Sequence, residues 1–246
     1  MTVRIVILAD IHSNIEAFQA VLSHAGAGGP IDRLWCLGDV VGYGPDPMAC
    51  IELLRSYPHH MVMGNHDAAA CDRMDTSDFN PAAARAAAWT GQQLTDEGRT
   101  YLQALPETVK EGDFTLVHGT LRWPIWEYLL SAEQVQEQFS LQETPYSLVG
   151  HSHVPFVAEE RPGQPAVLEY LADGQTVEPG GGRLVLNPGG VGQPRDGDPR
   201  AAYALYDAEA DAITLHRLEY DIAETQRKMK AAGLPRWLIE RLSVGR

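Results

Sequence analysis

Five short polar clusters interrupt the apolar runs of the first two thirds of the chain: Asp10-Ile11-His12, Gly38-Asp39, Gly64-Asn65-His66-Asp67, His118-Gly119 and Gly150-His151-Ser152-His153. Together they hold five of the nine histidines. A carboxylate offers oxygen lone pairs and a carboxamide a neutral carbonyl oxygen. An imidazole offers a nitrogen lone pair and, near neutral pH, a transferable proton. Asn65 beside His66 therefore supplies a metal ligand and a proton carrier in one turn. Gly-Asn is also ordinary turn chemistry, and an Asp-x-His or His-x-His arises in many chains. The weight lies in the five clusters occurring together, each at the end of an apolar run.

Regular elements must bring these clusters together. Val3 to Ala9 is a continuous, β-branched apolar run and reads as a strand buried on both faces. Ser13 and Glu16 make a capping box ahead of Ile15, Phe18, Val21 and Leu22, which fall at helical spacing. Arg33 to Leu37 reads as a second strand, Asp46-Pro47 as the start of a second helix and His60 to Met63 as a third strand. Three strand, loop and helix units each carry polar residues at the strand's carboxyl end, where open α/β sheets place ligand sites. Residues 68–105 read as a helical insertion. Asp113 to Val117 and Pro145 to Val149 read as strands ending at the two later clusters. Leu121 to Leu130, with Trp123, Trp126 and Tyr128, reads as a lid or pocket wall.

Beyond these come five short strand-like runs between Gly/Pro turns: Val154–Ala158, Ala166–Leu171, Arg183–Leu186, Ala202–Tyr206 and Ala212–Leu218. They predict a mainly antiparallel second sheet over about 154–220, followed by helices over about 221–243. Asn187 to Gly192 reads as a turn closing that sheet. No repeat or linker divides the chain. The expectation is a single domain over 1–246, of α/β class: two packed, mixed β-sheets flanked by helices, a four-layer α/β/β/α sandwich.

A net charge of −14 argues against a stable nucleic-acid complex, which rests on Lys and Arg facing phosphates. A small phosphorylated substrate drawn in by metal ions remains compatible with that charge. Cys36, Cys50 and Cys71 are odd in number and lack Cys-x-x-Cys spacing, which points to a reduced compartment with Cys36 and Cys50 in the core. The apolar part of Met1–Ala9 is too short for a secretory core or a membrane span. A cytoplasmic protein with no membrane partner is expected. Nothing in the sequence sets its oligomeric state.

The five clusters, in this order and each at a strand end, resemble the calcineurin-like metallophosphoesterase superfamily, and the match covers roughly the first 155 residues. The resemblance implies a two-metal centre: Asp10, His12, Asp39 and His153 around one ion, and Asp39, Asn65, His118 and His151 around the other, with Asp39 bridging. Such ions, ~3.5–4 Å apart, would bind the attacking hydroxide and clamp an in-line displacement at phosphorus. His66 is left as the non-ligand histidine, placed to protonate the leaving oxygen. Oxygen and nitrogen ligands without thiolate fit Mn²⁺, the leading expectation, and also Fe, Zn²⁺ or Ni²⁺. Asn65, Tyr43, Arg122 and Arg195 are the candidate substrate contacts. Asp67 has no assigned part, because neighbours on an extended chain point apart. His24, His59, His60 and His216 read as surface or core residues.

Phosphoprotein phosphatases of the superfamily carry Asp and Arg shortly after Gly-Asp, and Arg directly before Gly-Asn-His. Here Gly42, Tyr43 and Met63 stand at those positions. A phosphomonoester dianion is best gripped by guanidinium groups, so the chain looks more like the small single-domain prokaryotic phosphodiesterases. The alternatives are a phosphomonoesterase acting on phosphoproteins or nucleotides, dinucleoside polyphosphates included, and a non-catalytic binding module on the same fold.

Overall fold

The amino-terminal apolar run forms β1 (Arg4–Leu8), and the fold is laid out around it in a computed structural model that describes residues 3–161, 163–180 and 182–246. Met1 and Thr2, the start of the Met1–Ala9 run, lie outside the described residues. Then follow α1 (Ile15–Ala27), β2 (Arg33–Cys36), α2 (Pro47–Arg55), β3 (His59–Met61), α3 (Asn65–Ala70), α4 (Pro81–Gln93) and α5 (Asp96–Gln103). The middle of the chain supplies β4 (Thr108–Glu111), β5 (Phe114–Val117), α6 (Ala132–Leu141), β6 (Tyr146–Leu148) and β7 (Phe156–Glu159). The remainder holds β8 (Glu169–Tyr170), β9 (Thr176–Val177), β10 (Leu184–Asn187), β11 (Ala201–Asp207), β12 (Ala212–Leu218), α7 (Ile222–Ala231) and α8 (Arg236–Glu240).

Two mixed six-stranded sheets result, ordered β3-β2-β1-β11-β12-β9 and β4-β5-β6-β10-β7-β8. Side-chain alternation along β1 sorts its residues to two cores. Ile5 and Ile7 point to the second sheet, where they join Leu116, Leu148, Leu184 and Leu186. Val6 and Leu8 point outward to Phe18 and Val21 of α1 and Ile51 and Leu54 of α2. Val135 and Phe139 of α6 cover the far face of the second sheet through Val117, Phe156 and Val185. The layers are therefore helix, sheet, sheet and helix, the α/β sandwich expected.

The separate antiparallel sheet expected over 154–220 does not form. Its strands divide: β7, β8 and β10 complete the second sheet, while β9, β11 and β12 extend the first. β11 pairs antiparallel with β1, from Arg4 opposite Asp207 to Ile7 opposite Ala204. Turn residues mark where a strand begins and stops, but they carry no information about which open edge it joins. β4 and β9 correspond to none of the strand-like runs expected from the sequence.

α7 and α8 fold back against α4. Met229, Leu234, Leu238 and Leu242 pack with Ala83, Ala86 and Tyr43, so the carboxyl-terminal segment reaches the loops at the strand ends. All three cysteines are buried and free. Among the described residues, no helix is long and apolar enough to cross a membrane.

Candidate functional site

Seven of the nine described non-glycine residues with positive φ lie in the strand-end loops: Asp10, His12, Ser13, Asp39, Tyr43, His151 and His153, at 49° to 65°. The left-handed conformation costs an L-residue about 1–2 kcal/mol, and it persists only where surrounding structure over-determines it. Main-chain hydrogen bonds between the loops do so here. The amides of Asp10, His12 and Ser13 donate to the carbonyls of Gly38, Asp39 and Val40, at 3.1, 2.9 and 3.0 Å. The amides of Val191 and Gly192 donate to Ala9 and Asp10, both at 2.9 Å. The Asn187–Gly192 segment, expected as a turn closing the second sheet, thus leaves that sheet and docks on the end of β1. Gly64 is required by close approach, since a Cβ there would stand 2.0 Å from Asp39 Oδ1.

Asp67 has a definite part, which the sequence reading missed. Asn65 opens helix α3 rather than continuing a strand, so Asp67 turns back beneath the loop. Its buried carboxylate accepts from the amides of Asp39 (2.8 Å), Val41 (3.2 Å) and Gly64 (3.0 Å). It holds Gly-Asp and Gly-Asn-His together.

Four imidazoles each donate one ring N–H to a main-chain carbonyl: His12 Nδ1 to Val41 (3.1 Å), His118 Nδ1 to Leu37 (2.7 Å), His153 Nδ1 to Gln193 (2.5 Å) and His151 Nε2 to Trp126 (3.1 Å). A carbonyl only accepts, so these bonds fix the tautomers and turn the other nitrogen, with its lone pair, inward. His12 Nε2 then lies 3.2 Å from His153 Nε2, and His118 Nε2 lies 3.0 Å from His151 Nδ1. Burial pushes His12, His151 and His153 well below the usual imidazole range and His118 down to about 4, so all four are neutral at pH 7. Two lone pairs facing each other at such distances, with no proton between them, are a donor arrangement that a cation satisfies.

The carboxylates complete two groups, Asp10 with His12 and His153, and Asp39 with His118 and His151, each with donor atoms within 4.8 Å of one another. Asp39 Oδ1 accepts from the His66 amide at 2.9 Å, whereas Oδ2 lies 3.7 Å from His12 Nε2 and 3.5 Å from His118 Nε2. One oxygen of Asp39 thus faces both groups. Asn65 Oδ1 lies 3.2 Å from His118 Nε2. Asp10 Oδ1 is buried without a hydrogen-bond partner and sits 3.2 Å from His153 Nε2. Burial pushes Asp39 up to about 7; burial and then the Asp39 charge raise Asp10 well above the carboxylate range. A buried acid cluster that resists ionising on its own is what divalent cations stabilise. The donor set fits them.

A cleft of about 230 Å³ opens beside these groups, lined by Tyr43, Asn65, His66, Phe79, Trp126, Tyr128 and His151 among others. Trp126 stacks on Phe79 at 5.5 Å between ring centroids, and Tyr128 on His151 at 3.9 Å. The Leu121–Leu130 segment is therefore a wall of the cleft through Trp126 and Tyr128. His66 lies 4.1 Å from the Tyr43 ring and 5.0 Å from His12, and its Nδ1 is buried with no hydrogen-bond partner. Arg195 stands over Tyr43, with Cζ 5.8 Å from the ring centroid.

Arg122 is not a cleft residue, contrary to the sequence expectation. It is held on the surface by Glu127 and Glu137. His24 and His59 bond tyrosine hydroxyls, His60 faces Glu111, and His216 stacks on Tyr203, all outside the site. Beyond Asp67, the sequence reading missed Phe79, Gln193 and Arg241. Gln193 and Arg241 lack any motif, and only the carboxyl-terminal docking brings Arg241 near.

The chain matches the model of the calcineurin-like phosphoesterase superfamily domain over residues 3–211. It is 37% identical to an uncharacterized protein of Methanocaldococcus jannaschii over 98% of each chain. A metallophosphoesterase from Sphaerobacter thermophilus, known as a crystal structure, is 44% identical and superposes over the whole of both chains with a TM-score of 0.90. A hypothetical protein from Pyrococcus horikoshii OT3 shares the fold at 23% identity, with a TM-score of 0.81 over 99% of both chains. A symmetrical bis(5'-nucleosyl)-tetraphosphatase of Psychromonas ingrahamii is 27% identical over 53% of this chain and 49% of its own. With both triads of inward-facing donors in place at the strand ends, the chain belongs to the calcineurin-like phosphoesterase superfamily.

Proposed function

We propose that the protein is a metal-dependent phosphodiesterase that acts in the cytoplasm on a small phosphorylated substrate. The observation that carries the reading is the pair of inward-facing donor groups sharing Asp39 beneath an aromatic-walled cleft. Asp10, His12, Asp39 and His153 would hold one divalent ion and Asp39, Asn65, His118 and His151 a second, Mn²⁺ being the best suited and Fe, Zn²⁺ and Ni²⁺ alternatives. Bound there, the ions would acidify a water and offset the charge of the phosphoryl group.

The reaction adds water across a P–O bond: the water oxygen joins phosphorus, the ester oxygen departs, and a proton must reach that oxygen. His66 is the proton carrier. It borders the cleft, and its Nδ1 has no partner within the protein. Burial and then Arg195 hold it well below the usual imidazole range, and an arriving phosphate anion acts in the opposite sense. Asn65, Tyr43 and Arg195 contact the substrate. Tyr43, Phe79, Trp126 and Tyr128 give one substituent of a diester an apolar seat, which supports a diester over a bare monoester.

Arg195 favours a second reading, hydrolysis of nucleotides or dinucleoside polyphosphates, because a guanidinium at the mouth supplies the counter-charge these need. The partial likeness to a bis(5'-nucleosyl)-tetraphosphatase points the same way. The deciding experiment compares kcat/KM for bis-p-nitrophenyl phosphate, p-nitrophenyl phosphate and a phosphoserine peptide at saturating Mn²⁺. The diester is expected to be the best of the three. A clear preference for either monoester refutes the diesterase assignment.

A further inference from the structure

Arg195 and Arg241 converge on one acceptor. Arg195 Nη2 donates to Gln193 Oε1 at 3.1 Å and Arg241 Nη1 donates to the same atom at 3.0 Å. Gln193 is 1% exposed, and its Nε2, a donor pair, has no hydrogen-bond partner among the described residues. No Asp or Glu side chain among the described residues pairs with either arginine, in a chain with 33 acidic and 19 basic residues. The nearby acids are occupied elsewhere: Asp196 and Asp198 by Arg217, Asp198 and Asp173 by Arg200, and Glu240 by Arg236. Arg241 Nε donates to the main-chain oxygen of Arg246, and the Gly197 amide donates to Gly245 at 2.8 Å. These bonds hold the carboxyl-terminal segment against the loop that carries Arg195.

The two guanidinium groups meet on one neutral amide oxygen, their other acceptors being the Arg246 main-chain oxygen and the Tyr128 hydroxyl, and like charges held together raise the energy of both. Their place is also specific. Arg195 Nη1 lies 3.5 Å from the Tyr128 hydroxyl, and its Cζ lies over Tyr43. Those tyrosines stack on His151 and against His66. The cationic face therefore borders the opening above the donor groups. Burial, followed by the Arg195 charge, draws Arg241 down to about 10, the direction expected of a cation awaiting an anion.

We infer that Arg195, Arg241 and the Gln193 amide form a second anion subsite, which takes a phosphoryl group linked to the one held at Asp39 and His66. The preferred ligand then carries two joined phosphoryl groups. Guanidinium forks match phosphate oxygens in geometry as well as charge. The inference rests on the proposed reading for the place of the first phosphoryl group.

The test is calorimetric binding of inorganic phosphate and of pyrophosphate to the metal-loaded protein, with metal content measured after each titration. Wild type should bind pyrophosphate at least about tenfold more tightly than phosphate, the worth of a charge-assisted hydrogen bond. Arg241→Gln should weaken pyrophosphate by about tenfold more than it weakens phosphate. Arg241→Lys should recover part of that loss, and Arg195→Gln should show the same asymmetry should Arg241→Gln fold poorly. Arg236→Gln, at an exposed ion pair, is the control expected to change neither. Equal losses for both probes would overturn the subsite, placing the arginines on the first phosphoryl group. Unchanged affinities with a lowered Tm would also overturn it, making the pair a structural clasp. Bis-p-nitrophenyl phosphate hydrolysis is measured alongside. Diester activity without pyrophosphate selectivity sinks this inference alone, and Arg241-dependent selectivity without diester activity sinks the diesterase reading alone.

Discussion

Gly42→Ala tests the place and role of His66 without touching a donor atom of the two groups. Gly42 has φ +95°, and a Cβ there would lie 2.7 Å from His66 Nδ1 and 2.8 Å from its Cβ and Cγ. Ordinary contacts are ~3.5 Å or more, so the imidazole must retreat by most of an ångström or the loop must open. Backbone strain at such a φ costs about 1–3 kcal/mol, and the overlap adds to it. A total loss of about 2–4 kcal/mol in unfolding free energy follows. Misplacing a reacting group by about 1 Å can cost on the order of 10²-fold in rate. Gly42→Ala should therefore lose about 10²-fold in kcat/KM on a diester with a basic leaving group, while metal content stays at the wild-type level.

The double mutant gives the sharper reading. With His66→Ala in place the ring contacts disappear and only the one to the retained Cβ, at 2.8 Å, remains, so Gly42→Ala should still lower stability but should lower activity little further. That non-additivity is the signature of two residues acting on one event. The measurements are urea unfolding, elemental analysis and kinetics for the wild type, both single mutants and the pair. Activity losses that multiply in the double mutant would refute the reasoning, because Gly42 would then be affecting catalysis by some route other than His66.

Three further outcomes follow from the same geometry. Elemental analysis after metal loading should give about two divalent ions per chain, and Asp39→Asn should reduce both, since Oδ2 faces both groups; a stoichiometry of one that survives Asp39→Asn counts against the sharing. His66→Ala should lose ~10²–10⁴-fold on a poor leaving group and less on nitrophenolate, whereas His151→Ala should depress all substrates alike and shed metal; the leaving-group series separates them. Trp126→Ala should raise KM for an aryl diester by roughly 2- to 12-fold, the worth of one aromatic contact of about 0.5–1.5 kcal/mol, and an unchanged KM removes the cleft wall from substrate binding.

What the sequence made legible was chemistry that is local in the chain. Apolar runs announce strands, and Asp, Asn and His at their ends announce donors, so the members of both donor groups and their sandwich could be read before any coordinates. The left-handed backbone that aims five of those donors has no such signal, because Asp and His adopt that conformation only under constraint from loops distant in sequence. Asp67 was misjudged for a related reason: one residue's change from strand to helix at Asn65 reverses the direction of the side chain two positions on. The arginines show the limit most plainly. Arg122 and Arg195 look alike as isolated residues, each near the site in sequence order. Arg122 is captured by Glu127 and Glu137, which lie within fifteen residues of it. Arg195 has Asp196 and Asp198 even closer, yet Arg217 and Arg200 draw those acids away and leave its guanidinium over the ring of Tyr43, a residue that lines the cleft. Which arginine is left without an acidic partner beside the cleft is therefore decided by how the surrounding acids are shared out, and in this chain that sharing is fixed by the partition of β11 and β12 into the first sheet, since they or their immediate flank carry both competing arginines.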